Sequence, residues 1–103
     1  MSHFKKHCQD CVDQLGEPFE EVHRWLDELF AYLGADHREV RHNVKGVEKA
    51  RKLFGDEGAK AAEIHILEDE GWIPVIDQHF LLQLTLNPTV GQAFYLEYKD
   101  EME

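Results

Sequence analysis

The chain has 103 residues, enough for one domain around one modest core. Its formal net charge of −10 argues against a nucleic-acid backbone or an anionic lipid surface as partner, and no apolar run is long enough to span a bilayer. Two cysteines, Cys8 and Cys11, cannot build a disulfide framework, and no apolar stretch of the secretory type follows Met1, so a reducing, cytoplasmic compartment is expected.

In chain order, Phe4, Cys8, Cys11, Val12 and Leu15 fall on one stripe of an amphipathic helix. Cys-x-x-Cys with His3 or His7 is half of a zinc set, but no second pair exists, and core packing is the expected role of both thiols. A second helix is expected to open at Pro18, where the missing N–H costs nothing, and to stop at Gly34. Phe19, Val22, Leu26, Leu29, Phe30 and Leu33 form its buried face, with Glu20, His23 and Asp27 on a bordering flank.

A third helix is expected from Asp36, whose spacing to Glu39 resembles a capping box, with Val40, Val44, Val47 and Phe54 on its stripe. Gly46 inside it costs about 1 kcal/mol relative to Ala and marks close packing or a kink. His37 flanks the stripe. On an unbroken helix His42 falls on the far side with Arg38 and Lys49, so it is set aside as a ligand. Phe54 to Gly58 reads as a turn with Asp56 as a cap, followed by a fourth helix (Ala59, Ala62, Ile66, Leu67) that ends at Gly71 before Pro74. His65 and Asp69 lie on its edge, beside the small residues Ala61 and Ala62.

The period then changes. Phe80, Leu82, Leu84 and Leu86 alternate, and after Asn87-Pro88-Thr89-Val90-Gly91-Gln92 so do Phe94, Leu96 and Tyr98, which predicts a β-hairpin, with a helix over 75–86 as the open alternative because short apolar runs fit both periods. The expectation is thus a mainly α protein. It is a single domain over 1–103, a compact bundle of about four helices over 2–71, with a Pro-containing turn over 72–79, a hairpin over 80–98 and a frayed tail over 99–103. Because a lone hairpin is marginal in water, it is expected to lie on the helices or to pair with a second subunit as a homodimer contact.

His23 and Asp27, and again His65 and Asp69, stand four residues apart, so each pair shares a helix face. Imidazole and carboxylate together are ligand chemistry for zinc, manganese or iron, and the candidate ligands are His23, Asp27, His37, His65 and Asp69. Glu68 is the candidate catalytic base or orienter beside them.

Several stretches carry a resemblance to a family. They are His23-Arg24-Trp25-Leu26-Asp27, His37-Arg38-Glu39-Val40-Arg41-His42 with Gly46, and His65-Ile66-Leu67-Glu68-Asp69-Glu70-Gly71-Trp72-Ile73-Pro74. Over Cys8 to Phe80 the chain resembles a small family of uncharacterised bacterial and phage proteins. The resemblance implies a residue set and a helical fold with a short helical C-terminus, but no activity. Asn43 stands where that pattern has a further histidine.

Two functions remain open. One is a metal centre that activates water for hydrolysis. The other is a non-enzymatic acidic interaction or regulatory module, such as a phage-borne inhibitor, to which the charge and the exposed-looking Trp72, Tyr95 and Tyr98 point. Serine, thiol and phosphate-loop chemistry are not expected, since the one serine is Ser2 and no glycine loop with lysine follows a strand.

Overall fold

The computed structural model describes residues 2–101, with the side chains of residues 4–34 and 36–100. Its helices are α1 (Ser2–Leu15), α2 (Glu20–Asp27), α3 (Phe30–Leu33), α4 (Arg38–Arg41), α5 (Val44–Glu70), α6 (Gln78–Leu86) and α7 (Pro88–Tyr98). Gly34–His37 and Lys99–Glu101 form 3-10 turns, the second of them in the tail expected to fray, of which residues 102 and 103 lie outside the description. The long α5 carries α1 and α2, and α4 packs on α7, which also carries α6. No described helix is long and apolar enough to cross a membrane.

The helices break more often than their apolar stripes suggest. Pro18 does not open α2, because Phe19 takes the left-handed conformation (φ 53, ψ 47) just before Glu20. The expected helix from 18 to 33 divides at Glu28 and Leu29 into α2 and α3. The expected helix from Asp36 also divides: His42 (φ −90, ψ 60) and Asn43 (φ −157, ψ −179) are not helical. Asn43 caps α5, its Oδ1 accepting from the Gly46 N–H at 3.0 Å, while its Nδ2 donates to the Glu39 and Val40 carbonyls. The turn expected near residue 55 is a kink at Gly55 (φ 83, ψ −178) within α5, and Asp56 pairs with Arg51 instead of capping a helix.

The predicted hairpin does not exist. Among the described residues there is no strand, and 80–98 lie in α6 and α7. The apolar residues here satisfy two periods at once. Phe80 and Leu84, and then Val90, Phe94 and Tyr98, are the buried ones, spaced four apart as a helix requires. The residues that created the alternation, Leu82, Leu86 and Leu96, face outward. The supposed loop is a helix start: Asn87 Oδ1 accepts from the Val90 N–H, and Pro88 takes the first turn. Asp77 caps α6 in the same way, accepting from the Phe80 N–H at 2.9 Å. The α6–α7 crossing is close, since a Cβ on Gly91 would stand 2.6 Å from the Leu84 carbonyl oxygen.

Two apolar clusters result. One joins Cys11, Val22, Leu26, Val47, Ala50, Ala59, Ala61, Ala62 and Ile66; the other joins Val40, Phe80, Leu84, Val90, Phe94 and Tyr98. Tyr98 is fully buried, against its exposed appearance in the sequence, and its hydroxyl donates to the Val40 carbonyl at 2.6 Å. Arg41 ties α2, α4 and α7 together. Its guanidinium donates to the Trp25 carbonyl at 2.6 Å, to Glu28 at 2.9 Å and to Glu97 at 2.8 Å, and lies over the Trp25 ring. The Pro74 carbonyl accepts from the Val44 N–H, pinning the segment after α5 to its start.

A Cβ on Gly46 would collide with the Arg41 carbonyl oxygen, a backbone atom that cannot swing aside. Gly46→Ala is therefore expected to destabilise the protein by roughly 1–3 kcal/mol or more in denaturant unfolding. Gly58→Ala meets the Phe54 Cβ, which its own backbone holds in place, and is expected to destabilise the protein as well.

Candidate metal centre

Five of the seven histidines are buried: His7, His23, His37, His42 and His65. Of the other two, His79 is exposed, and the His3 side chain lies outside the described residues. The buried five come from different places, namely α1 (His7), α2 (His23), the 3-10 turn (His37), the break after α4 (His42) and α5 (His65). They surround two carboxylates. Asp27, the last residue of α2, has Oδ1 3.2 Å from His37 Nε2, 3.4 Å from His42 Nε2 and 3.3 Å from His65 Nε2. Asp69 on α5 has Oδ1 3.2 Å from His7 Nε2, and its Oδ2 is 3.2 Å from His65 Nε2 and 3.6 Å from His42 Nδ1.

The outer nitrogens have partners of their own. His37 Nδ1 donates to the Gly34 carbonyl at 2.8 Å, and His42 Nε2 donates to the Leu26 carbonyl at 3.2 Å. His65 Nδ1 meets His23 Nδ1 at 2.9 Å, and His23 Nε2 meets the Cys11 sulfur at 3.3 Å. Glu68 stands 3.7 Å from His7 Nδ1. A ring held by an outer acceptor while its other nitrogen points inward is the arrangement that orients metal-ligating histidines.

Burial and the carboxylates decide the charges. Burial pushes the His42 pKa down, so this ring is neutral at physiological pH. Its Nε2 carries the hydrogen given to Leu26, which leaves the buried Nδ1 a bare lone pair with no hydrogen-bond partner, facing the Asp69 carboxylate. Burial likewise drives His23 down to about 4, with the neighbouring imidazoles adding to the effect. Burial also opposes charge on His65, but the hydrogen bonds it donates to Asp27 and Asp69 outweigh it and raise this pKa. For Asp27 burial works upward and hydrogen bonds from His37, His42 and His65 win, holding the carboxyl far below the usual range. Asp69 is held low against the same burial by hydrogen bonds from His65 and His7. Burial pushes the Cys11 thiol up to about 11, so it keeps its hydrogen.

Of the residues expected to bind metal, Asp27, His37, His65 and Asp69 meet here. His23 stands one ring behind, against His65 and Cys11, and its contacts do not include Asp27. Glu68 sits behind His7 and near Lys6. Four groups each offer one ligand atom within 4.8 Å of all the others: Asp27, His42, His65 and Asp69. His42 belongs to this set, although on an unbroken helix it falls on the far side; the Asn43 cap restarts the helical phase at Val44. His7 was also missed as part of this cluster, although it lies three residues after Phe4 and four before Cys11, on their stripe. Cys11 packs in the core as expected and Cys8 is partly buried.

Residues 2–90 match a family described as a domain of unknown function, DUF6915. The chain belongs to that family. DUF6915 has no activity attached to its description, and its match runs past both ends of the stretch on which the sequence resemblance was read. No curated protein and no solved structure matches the chain.

The lowered histidines predict a pH dependence for the metal-free protein. His23 has its folded pKa below its unfolded value, so its contribution is present above about 6.5 and is lost as the pH falls toward about 4. His65 has the opposite sign, its contribution being present below its unfolded value and lost on the alkaline side. Thermal unfolding across this range is expected to show a falling Tm on acidification. His23→Gln, which cannot titrate, is expected to flatten that fall.

Proposed function

We propose that this protein binds a divalent metal ion between α2, α5 and the α4–α5 break, with His42 Nδ1, His65 Nε2, Asp27 and Asp69 as its ligands. The observation that carries this reading is His42 Nδ1: a buried lone pair, without a hydrogen-bond partner, aimed at a buried carboxylate. Two acceptors facing each other in a low-dielectric interior repel, and a cation between them removes the penalty. His37 and His7 stand ready to widen the coordination sphere, Gly34 and His23 hold the rings of His37 and His65 from behind, and Glu68 lies 3.7 Å from His7 Nδ1. Mixed imidazole and carboxylate donors suit zinc, manganese or iron.

A pocket of about 390 Å³ opens onto the cluster, lined by His7, His37, Asp27 and Asp69 among others. Structural zinc sites are closed, whereas catalytic sites keep a position open to water. The opening therefore favours metal-assisted hydrolysis over a purely structural ion, with metal-bound water as the nucleophile. Glu68 does not line this pocket, so it fits the role of orienting His7 better than that of a base. The homodimer contact expected of a hairpin has no hairpin to rest on.

Untagged protein, stripped and then incubated with zinc or manganese, is expected to carry stoichiometric metal by elemental analysis. His42→Ala and Asp69→Asn are expected to lose it, and His79→Ala to keep it. His23→Gln is expected to keep the stoichiometry but to weaken affinity roughly 10–100-fold, as loss of an outer-shell partner does. Protons and metal compete for His65, whose pKa is raised above 6.5, so affinity is expected to decline already as the pH drops toward that value. Wild-type protein without stoichiometric metal, or a His42→Ala variant that binds as well as wild type, contradicts the reading.

A further inference from the structure

The pocket over the cluster has a composition of its own. Beside the histidines and aspartates it is lined by two phenylalanines, Phe4 and Phe30, and two arginines, Arg24 and Arg38. Phe30 stands edge-on to His37 at 5.4 Å and is 55 % exposed, an apolar ring left in the mouth of a polar site. Phe4 stands edge-on to His23, with the Arg24 guanidinium over its ring at 5.4 Å. Both arginines have carboxylate partners, Arg24 the exposed Glu20 at 3.1 Å and Arg38 the half-buried Glu70 at 3.8 Å. Surface pairs of this kind contribute little, so an incoming anion competes with them at small cost.

The charge balance of the mouth depends on the ion. Without metal, Asp27 and Asp69 repel an anion. A divalent cation neutralises both aspartates, and the two arginines, balanced by Glu20 and Glu70, can then turn to an incoming anion without its being repelled by Asp27 and Asp69. A phosphate group has enough terminal oxygens to reach a metal and two guanidinium forks together, whereas a carboxylate has two. Resting on the metal centre proposed above, we infer that the pocket takes a small phosphate monoester with an aromatic body, its phosphate between the metal and Arg24 and Arg38, its ring between Phe4 and Phe30. A volume of about 390 Å³ suits a ligand of that size.

The test is calorimetric titration of zinc-loaded protein, its metal content measured first, with phenyl phosphate, inorganic phosphate, benzoate and phenol. Phenyl phosphate is expected to bind most tightly, and only when metal is present. Arg38→Gln and Phe30→Ala are each expected to weaken it by about tenfold or more with metal content unchanged, since each removes a direct contact from an exposed position. With full metal content, three results overturn the inference: no binding of phenyl phosphate, benzoate or phenol binding as tightly, or both variants binding like wild type. A preparation that takes up no metal contradicts the metal centre itself, and phenyl phosphate binding to such metal-free protein contradicts the proposed dependence on the ion.

Discussion

Two carboxylates placed inside a ring of imidazoles set the terms for the rest of this structure. An enclosed carboxylate such as Asp69 is costly unless each oxygen is met by hydrogen donors or a cation, and the half-buried Asp27 carries a smaller share of that cost. Asp27 is met by three imidazoles and Asp69 by three, with His42 and His65 shared between them. Hydrogens are short in this ring, because His37 and His42 also donate to backbone carbonyls on the far side and share what they have with Asp27. What remains in the middle is an excess of lone pairs and negative charge. In the metal-free protein the hydrogen bonds to Asp27 and Asp69 raise the His65 pKa, so that this ring offsets part of the excess.

The breaks in the helices serve the same arrangement. An unbroken helix from 36 to 54 would carry His37 and His42 on different faces. The 3-10 turn and the extended Asn43 bring both to Asp27 instead. Those breaks are held by side-chain chemistry: Asn43 satisfies the Glu39 and Val40 carbonyls as well as the Gly46 N–H, and Arg41 satisfies the Trp25 carbonyl near the end of α2. Small residues on α5, Ala59, Ala61 and Ala62, allow α1 and α2 to lie close, which places His7 and His23 against His65.

How much of this could be read from the residues depends on the distance over which the cause acts. The stripes of α1 and α5 and the i, i+4 pairing of His65 with Asp69 are local, and the structure contains all three. The phase of His42 was misread because one polar residue, Asn43, resets the helix, and an apolar stripe carries no trace of such a reset. The hairpin was misread because leucine at every second position of 80–86 satisfies period two, while the subset that is buried satisfies the helical period. The Asn87-Pro88 pair was the local signal that should have decided it, being a helix cap followed by a first-turn proline. His23 could not be placed from sequence at all, since whether it faces Asp27 or stands behind His65 is settled by packing between α2 and α5.

The claim that most needs direct proof is that imidazoles from separate elements share one ion. X-ray absorption at the zinc edge of the loaded, untagged protein reads this without mutation. The account predicts a first shell of nitrogen and oxygen at about 2.0–2.1 Å, with outer-shell scattering from two or more imidazole rings and no sulfur. A spectrum of oxygen neighbours alone, or one with a sulfur ligand at about 2.3 Å, would contradict it.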